Sequence, residues 1–145
     1  MKIDFRFAVD GDLDLLARWN HQLIADEGHR NPMTVPQLRE RVRQWLGGEY
    51  RSVIFSVEEK PVAYALYNES ADEVYLRQLF VERGQRRRGI GRHAISILRE
   101  QVWSKNKRLT VSVLTTNSPA VAFWRSVGYQ EYALTLEIMP QDAGD

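Results

Sequence analysis

The feature that most constrains the fold of this chain is a strand pattern that runs into a glycine- and arginine-rich turn and then into a helix pattern. The strand pattern is "EVYLRQLFV", the turn is "QRRRGIGRHA" (residues 85–94), and the helix pattern is "AISILREQVW". A further strand pattern, "RLTVSVLT", follows the helix. A strand, a helix and a strand in this order predict a crossover connection, and therefore a sheet that helices cover.

Alternation and helical periodicity define the elements before this unit. Alternating apolar residues predict a strand over residues 3–8, and apolar stripes at helical spacing predict two helices after it. We expect Asp10 or Asp12 to cap the first helix, which should end near Gly28. We expect Thr34 to cap the second helix, which a pair of glycines ends.

Extended segments fill most of the remaining sequence. "RSVIFSVE" and "PVAYALYNES" flank a short polar turn and predict a hairpin. After the crossover, "SPAVAFWRSVG" predicts a short helix and "YQEYALTLEIM" a last strand, before a tail (residues 140–145) that we expect to be frayed. The predicted fold class is α/β with a mixed sheet and helices on both faces, in a single domain over residues 1–145.

Composition excludes several classes of protein. The chain has 145 residues, of which 43% are hydrophobic and 27% charged, as is typical of a soluble globular protein. The formal net charge of +1 shows no general bias toward nucleic acid or membrane. The absence of cysteine excludes disulfides and cysteine nucleophiles. The N-terminus lacks an apolar signal segment, so we expect a cytoplasmic protein.

The glycine-rich turn has the chemistry of a phosphate site. A helix N-terminus leaves backbone N–H groups without partners, the helix dipole adds positive charge, and glycine lets an anion approach closely. Nearby arginines would add attraction for further phosphate: Arg83, Arg86, Arg87, Arg88 and Arg92. The turn lacks the Gly-Lys-Ser/Thr of a P-loop and the third glycine of a dinucleotide fingerprint. A basic surface turn without a ligand remains the alternative.

Two motifs resemble those of the GNAT N-acetyltransferase superfamily. "LFVERGQRRRGIGRHAI" resembles its coenzyme A signature, with Arg86, Gly89 and Gly91 at the fixed positions. "NSPAVAFWRSVGY" resembles its late motif, with matching residues at Asn117, Ala120, Phe123, Trp124, Gly128 and Tyr129. The order of the predicted elements also resembles that family across nearly the whole chain.

The resemblance implies a fold, a cosubstrate and a binding site. In this family two central strands splay apart and acetyl-CoA lies in the opening, with no metal. The pantetheine arm would pair with the backbone of Leu79, Phe80 and Val81, and the Val81 N–H would donate to the oxyanion. Asn117 would bond the pantetheine arm or help position the thioester, and Trp124 would lie near the sulfur. The pyrophosphate would bind the turn, at Arg86, Arg87, Arg88, Gly89, Ile90, Gly91 and Arg92.

The resemblance also implies direct attack of an amine on the acetyl carbonyl. Many family members have Tyr where this chain has Trp124, and indole can donate a hydrogen bond but no proton. The candidate bases are Glu73, on the strand before the turn, and His29, in the connection between the first two helices. Glu73 and Tyr75 should share a strand face. The expected catalytic residues are therefore Glu73, His29 and Trp124.

The acceptor is expected to be a small cationic amine. Acidic side chains in and near "ADEGHRNP" could hold a positive charge, and Glu27, His29 and Tyr75 are the expected substrate-binding residues. The alternatives are acetylation of protein N-termini or lysines, and a non-catalytic acyl-CoA sensor of the same fold. The expected partners are acetyl-CoA and the amine, without nucleic acid or membrane. A homodimer is left open.

Overall fold

A computed structural model describes residues 1–141 and contains one five-stranded sheet. The strands lie side by side in chain order, and every neighbouring pair is antiparallel except the last, which is parallel. The predicted mixed sheet is therefore confirmed. The strands are β1 (Asp4–Phe7), β2 (Tyr50–Val57), β3 (Lys60–Glu69), β4 (Glu73–Val81) and β5 (Arg108–Val111).

Helices cover both faces of the sheet, as the crossover pattern predicts. They are α1 (Leu13–Glu27), α2 (Val35–Leu46), α3 (Ile90–Ile97) and α4 (Ser118–Ser126). A π-helical turn, Leu98–Val102, continues α3. Short 3₁₀ turns precede α1 and follow β4, at Asp10–Asp12 and Arg83–Gln85. None of the helices within residues 1–141 has the length and apolar character needed to cross a membrane.

Local sequence explains where the first two helices begin and end. Thr34 caps α2 as predicted, because its side chain accepts a hydrogen bond from the Gln37 N–H. Gly28 ends α1 in the left-handed conformation, with φ of 73°. Asp12 precedes α1 but makes no capping bond, since its carboxylate binds the Arg6 guanidinium and the Val9 N–H at 2.8 Å.

Two apolar clusters, one on each side of the sheet, form the core. Side chains of α1 and α2 pack on one face around Tyr64 and Phe80, where Trp19 stacks on the Tyr64 ring and packs at a tilt against Phe80. On the other face, α3 and its π-helical turn pack around Val74 and Leu76. The alternation along β4 thus divides its side chains between the two layers.

The predicted last strand is wrong within the described residues. β5 ends at Val111, and the segment over residues 129–141 has no regular secondary structure. Its apolar side chains do alternate, but no neighbouring strand pairs with them. They are consequently exposed: Tyr132, Leu134, Leu136 and Ile138. Part of the tail that we expected to be frayed, residues 142–145, lies outside the described residues.

Candidate functional site: the open edge of β4 and the glycine turn

β4 and β5 separate before β4 ends, and this leaves an open edge. The two strands pair only between Glu73–Leu76 and Arg108–Val111, whereas β4 continues to Val81. Residues 78–81 therefore pair with β3 on one side and with no strand on the other within the described residues. The splay that the family resemblance implies is present.

Hydrogen-bond direction shows which groups of β4 face this opening. The Glu82 N–H donates to the Val62 carbonyl at 2.8 Å, on the β3 side. Because N–H groups alternate along an antiparallel ladder, the Phe80 N–H also points to β3, whereas those of Leu79 and Val81 point away from it. Two donors of β4 thus face the opening. The Val81 carbonyl accepts from Arg86 Nε at 2.9 Å.

A bulge at Arg77 changes which side chains of β4 face α1 and α2. The β3–β4 register shifts by one residue there, because Leu66 lies opposite Gln78 and Tyr67 opposite Leu76. Arg77 is the extra residue. As a result, Arg77 and Gln78 lie on the same face of the sheet, the one that α1 and α2 cover. There Gln78 Oε1 accepts a hydrogen bond from the Tyr64 hydroxyl at 2.8 Å.

The glycine turn presents a run of unpaired amides. Gly89 is the N-cap of α3, and both Gly89 and Arg87 have left-handed backbones, with φ of 76° and 66°. The first α3 bond in the described structure runs from the His93 N–H to the Gly89 carbonyl. The N–H groups from Arg87 through Arg92 have no backbone partner among the described residues. Such a concave run of donors at a helix N-terminus fits a phosphate.

The arginines around this turn are not equally available. Arg83 and Arg86 each donate to the Asp26 carboxylate at 2.6 Å, which ties the turn to the end of α1. Arg92 binds Ser126 at the end of α4, at 2.9 Å. Arg88 bonds the Gln85 amide, and both Arg88 and Arg87 lie exposed and without an acidic partner in the described residues. They are the free cations nearest the turn.

Burial and hydrogen bonding have opposite effects on the pKa of Asp26. Desolvation raises the pKa of its carboxyl, but hydrogen bonds from Arg83, Arg86 and Gln22 outweigh this and hold the pKa below its ordinary value. Asp26 is therefore ionised near neutrality and already paired. It does not supply the free negative charge that the sequence suggested for a cationic acceptor.

Glu27 and His29 meet where α1 ends, next to the open edge. His29 Nε2 lies 3.1 Å from Glu27 Oε1. Burial raises the pKa of the Glu27 carboxyl, although the bond to His29 lowers it. The positive charge of Arg86 also lowers the pKa of Glu27 slightly, and the charge of Glu27 adds to desolvation in raising the pKa of the buried Tyr64 hydroxyl. The pair follows Asp26, whose bonds to Arg83 and Arg86 bring this end of α1 to the residues before the glycine turn.

Glu73 and Tyr75 lie at the other end of β4. Glu73 is eight residues before Val81, about 26 Å at the rise of a strand. Its carboxylate bonds the Thr110 hydroxyl and lies 3.8 Å from Arg108, where β4 and β5 are still paired. Glu73 is therefore held against β5 where the strands are paired, whereas Tyr75 pairs with Thr110 shortly before the opening begins. The roles expected for the two residues remain predictions.

Asn117 lies at the start of α4, where it caps the helix, whereas Trp124 lies within α4 and packs against aromatic rings. Asn117 caps α4 through its Oδ1, which accepts from the Ala120 N–H at 3.3 Å and leaves the amide NH₂ as a donor. Trp124 packs edge-on against Phe123 and Tyr129, with ring centroids 5.0 and 5.4 Å away. Phe123 rather than Trp124 touches the glycine turn, because a Cβ on Gly91 would lie 3.3 Å from the Phe123 ring.

A second group of polar residues, which the sequence patterns did not predict, lies in the layer under α1 and α2. Tyr64 and Asn20 are buried in the layer under α1 and α2, and Gln78 contacts Tyr64. Arg41 of α2 donates to Asn20 Oδ1 at 2.9 Å. The position of Asn20 within an apolar helical stripe could have indicated these residues, since a buried amide needs hydrogen-bond partners. No group of three or more His, Asp or Glu among the described residues could hold a metal ion.

Comparison with known proteins identifies the family. The model of the acetyltransferase (GNAT) family matches residues 18–129, which include the open edge, the glycine turn and α4. The chain belongs to this family, as its two motifs predicted. A search of curated proteins by sequence finds no match.

Solved structures share the fold at low sequence identity. A possible acetyltransferase from Clostridium difficile 630 has a TM-score of 0.78 and 21% identity, over 98% of this chain and 99% of that one. Aminoglycoside N-acetyltransferase AAC(6')-Iy, solved in complex with CoA, has a TM-score of 0.76 and 14% identity, over 97% and 96%. An aminoglycoside acetyltransferase from an uncultured soil metagenomic sample, solved in complex with sisomicin, has a TM-score of 0.72 and 17% identity, over 96% of this chain and 97% of that one.

Proposed function

We propose that this protein transfers the acetyl group of acetyl-CoA to a primary amine, within a single domain over residues 1–145. The observation that carries the proposal is the continuity of the open β4 edge with the amides of the glycine turn. The Leu79 and Val81 N–H groups suit an extended amide-containing arm, and the amides of Arg87 through Arg92 suit a pyrophosphate. Family membership supports the same ligand.

The residues that would hold acetyl-CoA fit its chemistry. The arm would lie along Leu79, Phe80 and Val81, and the phosphates on Arg86, Arg87, Arg88, Gly89, Ile90, Gly91 and Arg92. Arg87 and Arg88 add positive charge that no acid in the described residues neutralises. The Asn117 amide has a donor left for the arm. Acetyl-CoA supplies the acetyl group as a thioester, which an amine attacks directly.

The chain would then contribute to two parts of the reaction, removal of the proton and stabilisation of the oxyanion. The amine nitrogen bonds the acetyl carbonyl carbon, the carbon–sulfur bond breaks, and the ammonium proton must leave before attack. The Glu27–His29 pair is the proton acceptor that the geometry favours, because it lies at the opening and Glu73 does not. The Val81 N–H faces the opening and can donate to an oxygen that gains negative charge.

Trp124 would steady the departing sulfur only through its N–H, or pack without a chemical role. The ring contacts with Phe123 and Tyr129 account for its position without any ligand. Water can meet the need for a proton, since a thiolate leaves readily near neutral pH. Tyr129 is not poised to donate, because burial raises the pKa of its hydroxyl to about 12.

The acceptor would be a small molecule with one ammonium group near Glu27. With Asp26 committed to two arginines, the free negative charge in this region is that of Glu27. One carboxylate suits a single ammonium better than a polycation. The other acceptors that the family allows are protein N-termini and lysines.

The first prediction is that acetyl-CoA raises the melting temperature of the protein, since a ligand of the native state stabilises it by linkage. Gly89→Glu should abolish this increase, because the added carboxylate occupies the phosphate position. Gly89→Ala is the matched control: it carries the same left-handed backbone cost without the charge, and should retain the increase. Differential scanning fluorimetry measures all three. An unchanged melting temperature of the wild type at millimolar acetyl-CoA would refute the proposal.

A further inference from the structure

Two stretches of this chain have the pattern of a strand but lack a neighbour to pair with. β5 pairs only with β4 among the described residues, and its pattern, "RLTVSVLT", continues past its last residue to Thr115. Residues 130–139, which we call the alternating segment, pair with no strand there. Both stretches therefore have backbone N–H and C=O groups that face no partner, and such edges are templates for pairing with another chain.

The apolar side chains of the alternating segment are largely exposed. The exposed fractions are 86% at Tyr132, 66% at Leu134, 83% at Leu136 and 98% at Ile138. These residues occupy every second position, so they form one row in an extended chain. A row of large apolar side chains in solvent is characteristic of a surface that another molecule covers.

Two ion pairs hold the alternating segment to its own molecule, and both use the opposite row of side chains. Glu131 binds Arg125 at 2.7 Å, and Glu137 binds Arg30 at 2.9 Å. Odd-numbered side chains therefore face the body of their own chain. Because neighbouring side chains of an extended chain point to opposite sides, the even-numbered apolar row is turned away from that body.

The patterns of β5 and the alternating segment are complementary as an antiparallel pair. In the register that places Val111 opposite Leu134, each apolar side chain of the outer β5 row meets an apolar side chain of the segment. The pairs are Leu109 with Leu136, Val111 with Leu134, and Val113 with Tyr132. The same register places Arg108 opposite Glu137, so the charges match as well. A shift of one residue would oppose apolar and polar rows.

The alternating segment does not form this pair with its own β5. The Arg108 guanidinium carbon, at the start of β5, lies 4.6 Å from the ring centroid of Tyr132. The antiparallel register needs Tyr132 beside Val113 instead, five residues or about 17 Å further along the strand. Glu137 then reaches Arg30, in the connection between α1 and α2. A second copy of the chain can supply the missing β5, and two-fold symmetry makes the exchange reciprocal.

We propose that this protein is a homodimer in which the alternating segment of each copy pairs with β5 of the other and adds a strand to its sheet. The β5 side chains that would receive it, Leu109, Val111 and Val113, are only half-buried in the single copy. Each apolar side chain of the row would bury on the order of 100 Å². With the surfaces that they cover, the two segments would bury about 1,600 Å², which is the usual size of a stable interface.

Disulfide cross-linking tests the proposed pairing directly, because the chain contains no cysteine. Val111→Cys and Leu134→Cys are produced on two differently tagged copies, co-expressed and oxidised. Side chains directly opposite one another in antiparallel strands come close to the separation that a disulfide spans. We expect a disulfide-linked species that carries both tags, and no such species when either variant is expressed alone.

The matched control moves one cysteine to the neighbouring position. Thr135→Cys in place of Leu134→Cys puts the thiol on the opposite side of the strand, so its yield with Val111→Cys should be much lower. A chain that carries both Val111→Cys and Leu134→Cys tests the alternative of folding back. A disulfide within a single chain would refute the exchange, and so would equal yields from the Leu134 and Thr135 pairs.

Sedimentation velocity of the full chain measures the assembly itself. We expect the wild type to sediment as a dimer and Leu134→Lys to sediment as a single copy. Because Leu134 is exposed in the single copy, this loss cannot be attributed to a disturbed core. Thr135→Lys adds the same charge to the other row and should remain a dimer. A single-copy wild type at high micromolar concentration would overturn the proposal, and a dimer that Leu134→Lys leaves intact would do the same.

Discussion

At the scale of single residues, the chemistry of this site depends on which charges are already paired. Asp26 and Glu27 are adjacent in sequence but differ in state, because Asp26 binds two arginines and Glu27 is half-buried beside His29. The sequence predicts both as acidic side chains near a cationic acceptor. It does not show which of the two is already paired, since Arg83 and Arg86 reach Asp26 from a distant part of the chain.

The Glu27 carboxyl should influence activity and stability in opposite directions. Its pKa is raised above the ordinary value, so the folded state binds this proton more tightly than the unfolded state does. Stability from this group is therefore present below the ordinary pKa of glutamate and declines as pH rises through the raised pKa. The Glu27→Gln variant should therefore have a higher melting temperature than the wild type near neutral pH. Its stability should no longer fall as pH rises through the raised pKa of this carboxyl.

The same substitution should reduce turnover. If the Glu27–His29 pair accepts the proton, Glu27→Gln should lower kcat/KM at least tenfold, since general base catalysis contributes roughly 10²–10⁴-fold. The acidic limb of the pH–rate profile should change with it. Glu49→Gln, an exposed carboxylate without a partner in the described residues, is the control. A Glu27→Gln variant with the wild-type rate at every pH would exclude the pair as the proton acceptor.

At the scale of elements, local patterns predicted the strands and helices well where neighbours in the fold agree with them. Thr34 and Gly28 bound the first two helices as their chemistry requires. The segment over residues 129–141 shows the limit of this approach. It has the alternation of a strand, yet a strand also needs a partner, and the local sequence does not contain that information.

The exposed apolar side chains of this segment offer a test of assembly. In a monomer, Leu136→Ser with Ile138→Ser should change the free energy of unfolding by no more than about 0.5 kcal/mol, because both side chains already face solvent. Chemical denaturation and sedimentation velocity measure this. A clearly larger loss of stability, together with a smaller species in sedimentation, would instead indicate that a second copy of the chain covers the segment.

At the scale of the whole molecule, Asp26 joins the helical layer on one face of the sheet to the turn that begins the helix on the other. The opening between β4 and β5 could be predicted only from the family motifs, because it depends on where β5 stops. The hydrogen bond between Arg41 and Asn20, and the contacts of Arg41 and Arg77 with the Trp45 ring, could not be predicted from local patterns. These residues come from α1, α2 and a bulge that shifts the alternation of β4.

Asp26→Asn should therefore alter stability and cofactor affinity together. Loss of two charged hydrogen bonds should cost about 1–2 kcal/mol at neutral pH. Because the pKa of Asp26 is lowered in the folded state, this contribution exists above the ordinary aspartate pKa and is lost as pH falls through the lowered value. Acetyl-CoA should bind more tightly at low salt, since Arg83 and Arg86 lose their competing carboxylate.

The matched control for this variant is Asp14→Asn, which breaks another aspartate–arginine pair of α1, with Arg39, away from the turn. It should leave the affinity for acetyl-CoA unchanged. Calorimetry at several salt concentrations measures both variants, and the difference between them should shrink as salt screens the charges. Weaker binding by Asp26→Asn at low salt would show that Asp26 instead positions the arginines for the ligand.

The open edge of β4 has a consequence for how freely this sequence can diverge. The groups that we propose for recognition are the N–H donors of Leu79 and Val81, which every amino acid except proline possesses. The side chains at these positions would therefore be constrained by packing in the core and not by the ligand. Substitutions can accumulate along the strand with little effect on what it binds.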